Sequence, residues 1–421
     1  MKVFKFGGAS VKDADGVRNV CKVIQHFPQD QLMIVVSAMG KTTNALENLT
    51  KAHFNNSEKK QEILSEIKSY HFNIIDELFP LPNHSLREDV HNLFVELEWV
   101  IDGDQIRDYD FEYDQIVSFG ELISTRIVAA FLNECGMPAT WVDARDLIAT
   151  DNTYREGRID WDKTGANVQE KIAKAFSVNA TQRFLTQGFI GGTSENFTTT
   201  LGREGSDYTA AILAFCLDAH SVTIWKDVPG VLNADPKYFP EAILIPKLSY
   251  YDAVELAYYG ATVIHPKTIK PLQNKNIPLY VRSFIKPEDA GTEISDNNDN
   301  YTIPSYIFKN DLVLISIWPK DFSFVVEKNI SDLFTYFAQN RVKVHLMQNS
   351  ALNFSVCISG DKEKIEKLLK DMDELYFYKF NDPVQLVTIR NYTERIIEKL
   401  SEGKELLLEQ KSRHNVQLVL Q

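Results

Sequence analysis

The first dozen residues constrain the fold most. Met1 to Phe6 is short and apolar, with Val3, Phe4 and Phe6 beside Lys2 and Lys5. That is the pattern of a buried strand. Gly7-Gly8 then breaks it, and Val17, Val20, Cys21 and Ile24 follow at helical spacing on one face. Strand, glycine turn and helix start together make an anion-binding arrangement. Glycines let the backbone approach a phosphate, N–H groups at the helix start point at it, and a lysine adds charge. Ser10 is placed either to cap the helix or to donate to a phosphate. The plain alternative is an ordinary strand-to-helix turn with a solvated lysine, and a short glycine motif does not separate the two.

Charge narrows the partners. Lys and Arg number 45 against 58 Asp and Glu, a net charge of −13. Attraction to nucleic acid or to an anionic membrane is not expected, so any bound anion must be met by local basic groups. The 421 residues have room for two or three domains, and 44% hydrophobic with 24% charged residues is ordinary globular composition. Cys21, Cys135, Cys216 and Cys357 are far apart with no C-x-x-C pair. Neither a disulfide framework nor a zinc knuckle is expected, and buried free thiols in a reducing cytoplasm fit instead. The N-terminus lacks an apolar leader, and no later run reaches about 18 apolar residues, so neither a signal peptide nor a membrane span is expected.

Along the chain, Leu32 to Val36 is a second buried strand ending in Ser37-Ala38-Met39-Gly40-Lys41-Thr42-Thr43-Asn44. In open α/β sheets ligands sit at the carboxyl ends of strands. The hydroxyls of Ser37, Thr42 and Thr43 are therefore either substrate contacts or helix caps. Residues 45 to about 110 read as a mixed-charge helical excursion, broken at Pro80-Leu81-Pro82. Gly120-Glu121 opens an apolar helix. Glu121 is either a carboxylate favoured by the helix dipole or the receiver of a cationic ligand group. A strand from Phe184 to Ile190 ends in Gly191-Gly192-Thr193, and a polar loop leads to Leu201-Gly202-Arg203-Glu204-Gly205-Ser206-Asp207 at another helix start. Two glycine loops in one α/β unit argue for a phosphoryl group more than either alone. Arg203 has the fork that binds carboxylate or phosphate. Asp207 beside a phosphate must orient lysines or serve a metal. Further strands at Ser221 to Trp225 and Ile277 to Val281 complete a mainly parallel sheet with helices on both faces. No G-x-x-x-x-G-K-[ST] run or protein-kinase catalytic loop is present.

The Asp/Asn-rich stretch Asp296 to Asn300 marks a domain boundary. Beyond it, strands and helices run β-α-β-β-α, with a strand near Phe377 to close a ferredoxin-like split βαβ unit. A partial second copy follows, which a strand at Ile303 to Phe308 would complete.

Taken together, Lys5-Phe6-Gly7-Gly8-Ala9-Ser10, Val36-Ser37-Ala38 with Thr43-Asn44, Gly120-Glu121-Leu122-Ile123-Ser124 and Thr200-Leu201-Gly202-Arg203-Glu204-Gly205-Ser206-Asp207 resemble the motifs of monofunctional aspartate kinases of the amino-acid-kinase superfamily. Order and spacing match along the chain, and the tail resembles the family's paired ACT domains. The resemblance implies a three-layer α/β kinase domain over residues 1–295. It also implies a first α+β ACT domain over 313–380 and a composite second from 300–312 plus 381–421. It implies a cytoplasmic enzyme that phosphorylates the side-chain carboxylate of L-aspartate with ATP and Mg²⁺, beginning lysine, threonine and methionine synthesis. A homodimer through the ACT domains is implied, with lysine as the first-choice effector and threonine as the second.

By the same resemblance, Lys5 binds the transferring phosphoryl group, cradled by the backbone at Gly7, Gly8 and Ser10. Asp207 orders that centre. Ser37, Thr43, Glu121 and Arg203 hold the substrate, Glu121 by its ammonium and Arg203 by its α-carboxylate. Lys226, Asp227 and Lys237 lie along the nucleotide, and no metal ligand set is implied. The chain departs from the family pattern at Glu204, usually glycine, at Lys226, often a hydroxyl residue, and at Leu232 and Thr262, where some relatives have tyrosine and lysine. Two other readings remain. One is a superfamily kinase for glutamate, acetylglutamate, carbamate or UMP, which the Glu121/Arg203 pair and the doubled tail disfavour. The other is a non-catalytic amino-acid sensor, which retention of Lys5, Glu121, Arg203 and Asp207 disfavours. A fused homoserine dehydrogenase is not expected, since the chain ends at Gln421.

Overall fold

Short β-branched and aromatic runs form the strands that the alternation predicts. The computed structural model describes residues 1–103, 107–178, 181–260, 264–296 and 303–421. Its strands up to residue 296 are β1 (Lys2–Phe6), β2 (Leu32–Val36), β3 (Thr140–Trp141), β4 (Arg183–Gln187), β5 (Ile190–Gly192), β6 (Thr198–Thr200), β7 (Ser221–Lys226), β8 (Lys247–Ser249), β9 (Leu279–Ser283) and β10 (Thr292–Ser295). Eight of them form one sheet in the order β3-β4-β2-β1-β7-β9-β10-β8. All neighbours in it are parallel except the β9/β10 pair. β1 lies between β2 and β7, with Phe6 opposite both Val36 and Trp225. The carboxyl ends of these three strands therefore emerge side by side, and Gly7, Ser37 and Lys226 lie at those ends.

Several elements differ from expectation. After Gly7 the chain makes a short 3₁₀ turn, Gly8–Val11, before the helix Ala14–Gln25. Asp13 caps that helix by accepting from the Gly16 N–H at 2.8 Å, so Ser10 is not the cap. The strand expected through Ile190 ends at Gln187. Phe189, in left-handed backbone with φ +71°, turns the chain. Ile190–Gly192 then pairs with Thr198–Thr200 as a hairpin, so part of the expected polar loop is strand. The helical excursion consists of Thr42–Phe54, Lys60–Leu78 and Leu86–Asp102. Helices Tyr109–Val117 and Phe119–Glu134 make a run long and apolar enough to cross a membrane, but 78% of its most apolar window is buried inside the protein, as in a core helix.

Of the four cysteines, Cys216 and Cys357 are buried free thiols, whereas Cys21 and Cys135 are joined as a disulfide. This corrects the expectation of four free thiols. A separation of 114 residues hides the pair in the sequence. Packing of helix Ala14–Gln25 against helix Phe119–Glu134 brings it together.

The chain divides into two compact units. The first comprises Met1–Val231, Leu244–Val254 and Val263–Asp299, and the second Leu232–Ile243, Glu255–Thr262 and Asn300–Gln421. Two segments from within the expected 1–295 domain thus group with the tail. Asn233 accepts from the Tyr306 N–H at 2.7 Å, Phe239 stacks on Tyr306, and Glu255 pairs with Arg390. Thr262 and residues 297–300, the expected boundary, lie outside the described residues.

The second unit holds one six-stranded antiparallel sheet built on β11 (Ser305–Pro319), β12 (Lys343–Asn349), β13 (Phe354–Ser359), β14 (Tyr376–Arg390), β15 (Leu406–Lys411) and β16 (Asn415–Leu420), in the order β12-β13-β11-β14-β16-β15. The strand expected at Ile303–Phe308 runs on into the first strand of the expected ferredoxin-like unit as one strand, β11. The strand expected near Phe377 likewise continues into the partial second copy as one strand, β14. These two long strands pair along their lengths, with bulges around Leu312 re-aiming the side chains. Helices Glu327–Gln339 and Lys362–Met372 cover Val313, Ile315 and Ile317, and helix Glu394–Ser401 covers Val387 and Ile389.

Candidate active site

The first unit contains a cavity of about 830 Å³. At one end a charged centre forms where β1, β7 and the helix Gly205–Cys216 meet. Lys5 projects from β1, and its Nζ lies 2.6 Å from Asp207 Oδ1. Lys226, the last residue of β7, puts its Nζ 3.7 Å from Asp207 Oδ2. Lys5 and Asp207 are both buried. Asp207 stands in the first turn of its helix, where the dipole favours negative charge. The positive end of the same helix dipole is suited to a phosphate. Gly8 closes this end against β2. A Cβ at Gly8 would lie 2.8 Å from the Ala38 carbonyl and 2.9 Å from that of Gly40, so only glycine fits.

Glu121, also on the cavity wall, stands in the first turn of helix Phe119–Glu134. Its Oε1 accepts from the Ala38 N–H at 3.4 Å, and Oε2 is buried without a hydrogen-bond partner. Burial pushes the carboxyl up to about 8, against the opposing pull of the Ala38 N–H and the Lys5 charge. Ser124, one turn on, donates to the Ser37 carbonyl at 2.6 Å and fixes this helix to the end of β2. Thr42 donates to the Met39 carbonyl at 2.6 Å, a structural role that leaves Thr43 as the hydroxyl on the cavity wall.

The cavity brings together Lys5, Gly8, Ser37, Thr43, Glu121, Arg203, Asp207 and Lys226. Gly7, Ser10, Asp227 and Lys237 are outside its lining. Ser10 is buried with its Oγ unpartnered, Asp227 is exposed beyond β7, and Lys237 and Leu232 belong to the second unit. Glu204, which replaces the glycine of the resemblance, adopts φ +53°, the left-handed conformation glycine favours. It lines the cavity with one carboxylate oxygen buried and unpartnered.

Sequence reasoning missed the wall formed by Tyr113, Thr153, Tyr154, Arg155 and Glu156, and the buried Asp114 behind it. Asp114 is one of three carboxylates in the helix Tyr109–Val117, so nothing in the local pattern marks it out. Arg155 has φ +66°, its guanidinium lies 4.4 Å from the Tyr113 ring centroid, and its Nη1 is 3.3 Å from Asp110. Among the described residues no group of three or more His, Cys, Asp or Glu side chains is arranged to hold a metal.

A model of the amino acid kinase family matches residues 1–283. The Arabidopsis thaliana protein "Aspartokinase 2, chloroplastic" is 31% identical over 398 residues, covering 89% of this chain and 69% of the relative. The structure of E. coli aspartokinase III in complex with lysine and aspartate (T-state) superposes with a TM-score of 0.84 at 26% identity, covering 100% of this chain and 95% of that one. The same enzyme with aspartate and ADP (R-state) gives 0.82 at 25% identity, covering 100% and 96%. The chain spans about a third of the length of a bifunctional aspartokinase/homoserine dehydrogenase of Zea mays, 32% of it. A glycine-bounded lysine–aspartate centre on a mainly parallel sheet, and sequence likeness that runs through the second unit, lead to one assignment: the chain belongs to the amino acid kinase family, among its aspartokinases.

Proposed function

We propose that this chain is an aspartate kinase, transferring the terminal phosphoryl group of MgATP to the side-chain carboxylate of L-aspartate and forming 4-phospho-L-aspartate. One observation carries the reading. A single cavity holds the Lys5–Asp207–Lys226 centre together with Glu121 and Arg203, which suit the ammonium and α-carboxylate of an amino acid. E. coli aspartokinase III, which this chain resembles over its whole length, has been crystallised with aspartate and ADP.

The chemistry needs little from the protein beyond placement. An aspartate side chain is already ionised, so no general base is required, and catalysis is positioning with charge neutralisation. Lys5 offsets charge on the moving phosphoryl group, and the N–H groups near Gly8 and at the Gly205 helix start donate to its oxygens. Asp207 holds Lys5, and Lys226 beside it, in place. Glu121 takes the substrate ammonium and Arg203 its α-carboxylate. With no protein cage among the described residues, the donor set fits a magnesium ion that arrives on the ATP phosphates, with Asp207 as the nearby carboxylate. Such an ion would neutralise phosphate charge. Lys226 and Asp227 are assigned to the nucleotide side, with Lys237 a further contact.

In the second unit, residues 313–380 form one ACT-like half, and 300–312 with 381–421 the other. They make a homodimeric regulatory module that senses a pathway end product, lysine before threonine. The order β-α-β-β-α-β with a 2-3-1-4 sheet supports the first half, and the lysine in the E. coli aspartokinase III complex supports the effector. The enzyme is placed in the cytoplasm, at the start of lysine, threonine and methionine synthesis.

Purified protein with MgATP and L-aspartate should yield an acyl phosphate trapped by hydroxylamine. Absence of hydroxamate above a no-enzyme control, across pH and metal, rejects the reading. Titration with lysine, threonine and methionine tests the regulatory half, and indifference to all three reduces that unit to an assembly device.

A further inference from the structure

Behind the substrate end of the cavity a single carboxylate holds two separate pieces of its wall. Asp114, on helix Tyr109–Val117, is 0% exposed. Its Oδ2 accepts from the backbone N–H of Arg155 at 2.8 Å and of Thr200 at 2.8 Å, and its Oδ1 accepts from the Thr200 hydroxyl at 2.7 Å. Arg155 belongs to the segment Thr153 to Glu156, which crosses the cavity rim as a strap. Thr200 ends β6 and leads directly into Gly202-Arg203. The two pieces also bond to each other, Gly157 N–H to the Thr200 carbonyl at 2.9 Å.

The strap and the arginine loop are packed without slack. Gly202 has φ +75°, and a Cβ there would lie 3.2 Å from the Arg155 carbonyl and 3.3 Å from Glu156 Cγ. Arg155 is itself held in left-handed backbone, which is strained for a non-glycine residue and persists only where its surroundings over-determine it. Its N–H bond to Asp114 is one such restraint. A shift of the carboxylate must therefore move the strap, and the strap bears on the loop that carries Arg203.

We propose that Asp114 is a positioning residue for the amino-acid substrate: by anchoring Arg155 and Thr200 together it sets where Arg203 stands relative to Glu121. This rests on the aspartate kinase reading for the identity of the substrate, but not for the anchor itself. The nucleotide end, built from Lys5, Asp207 and Lys226, has no bond to this carboxylate. The effect should therefore fall on one substrate and not on the other.

The experiment uses the full chain, three single variants and one double. Asp114→Asn keeps the shape but removes the charge and replaces one acceptor by a donor. Thr200→Val removes only the hydroxyl donor, and Thr200→Ser retains it. Expected is a rise in KM for L-aspartate of about tenfold or more in Asp114→Asn, the scale of a lost hydrogen bond to a charged group, with KM for MgATP within about twofold. Thr200→Val should show the same split more weakly, Thr200→Ser should stay near wild type, and Asp114→Asn with Thr200→Val should be no worse than Asp114→Asn alone, since both act through one carboxylate. An unchanged KM for aspartate, or equal changes for both substrates alongside a lowered Tm, overturns the proposal. If Asp114→Asn does not fold, the Thr200→Val and Thr200→Ser pair decides it. If wild type shows no aspartate-dependent turnover, the activity reading fails instead, and the anchor is judged by amide hydrogen exchange. Asp114→Asn or Thr200→Val should then lose protection at Arg155, Gly157 and Thr200 but not in β1 or β7, and unchanged protection overturns it.

Discussion

Asp207 and Glu121 are both 2% exposed and line the same cavity, yet they carry their buried carboxylates in opposite ways. Asp207 has Lys5 at 2.6 Å and Lys226 at 3.7 Å. Glu121 has one long backbone hydrogen bond and an unpartnered oxygen, and burial holds its carboxyl at about 8. Asp207 has its counter-charges built in. Glu121 holds a latent charge that a cationic ligand would call out. In a low-dielectric site an ion without a partner is protonated instead. On the proposed reading, the first centre serves the bound phosphoryl group and the second responds to the amino acid.

The largest effect that would sharpen this contrast is on Lys5. Lys5→Ala should cut turnover by about 10²-fold or more, the usual scale for removing a charge-stabilising donor. Steady-state rates on a variant shown to be folded by circular dichroism check it. Lys226 remains near Asp207 and limits the structural damage. Near-wild-type turnover would break the comparison at its charged end.

Next is substrate hold. Glu121→Ala and Arg203→Ala should each raise KM for L-aspartate by roughly tenfold to a hundredfold, with less change in kcat, because they contact groups that do not react. Initial rates at varied aspartate and saturating MgATP measure the split. A fall in kcat without a rise in KM would place both residues at the reacting centre instead.

The latent charge makes a third, independent test. With its carboxyl near 8 in the free protein, Glu121 is mostly protonated at pH 7, and binding an ammonium beside it should expel about one proton per L-aspartate. Calorimetry in buffers of different ionisation enthalpy counts it, and Glu121→Gln should abolish it. The same shift has a sign in stability. The native carboxyl binds a proton more readily than the unfolded one, whose ordinary value is 4.5, so the native state holds more protons between 4.5 and about 8. Wild-type stability should fall relative to Glu121→Gln as pH rises through that window. The difference in Tm between the two proteins, followed from pH 5 to pH 9, reads it directly, and a flat difference would remove the latent charge.

Lys226→Ala should have the smallest effect, a loss in turnover of roughly threefold to tenfold, since its 3.7 Å contact with Asp207 is longer and weaker than that of Lys5. A loss equal to that of Lys5→Ala would make the two lysines equal partners.

Much of this site was legible in order along the chain. The apolar run before Gly7, the strand before Ser37, Gly120-Glu121 and the Gly202 to Asp207 loop each announce a strand end or a helix start. Seven of the site residues in those stretches, and Lys226 from the resemblance, line one cavity. Of the two roles open to Ser10, the cap falls instead to Asp13, because a 3₁₀ turn intervenes. Asp114 and Arg155 were not singled out at all. Asp114 is one of three carboxylates on its helix, and it looks like its neighbours until two distant N–H groups are found on it. The disulfide between Cys21 and Cys135 was missed for a similar reason, since helix packing and not spacing brings them together.

What the amino-acid sequence determined by itself is local. Hydrophobic period set strand or helix, glycine marked where the backbone must turn or approach closely, and the order of motifs placed lysine, glutamate, arginine and aspartate at the ends of elements. What only the tertiary structure decided is which of those ends meet and in what surroundings. It put Lys5 on Asp207, left Glu121 without a cation in hydrogen-bonding contact, tied the strap to Asp114, and ran β11 and β14 through both halves of one sheet. The physical reason is that φ preference and side-chain period are properties of neighbours in the chain. Desolvation and ion pairing depend on whatever folding brings within a few ångströms from far along the sequence.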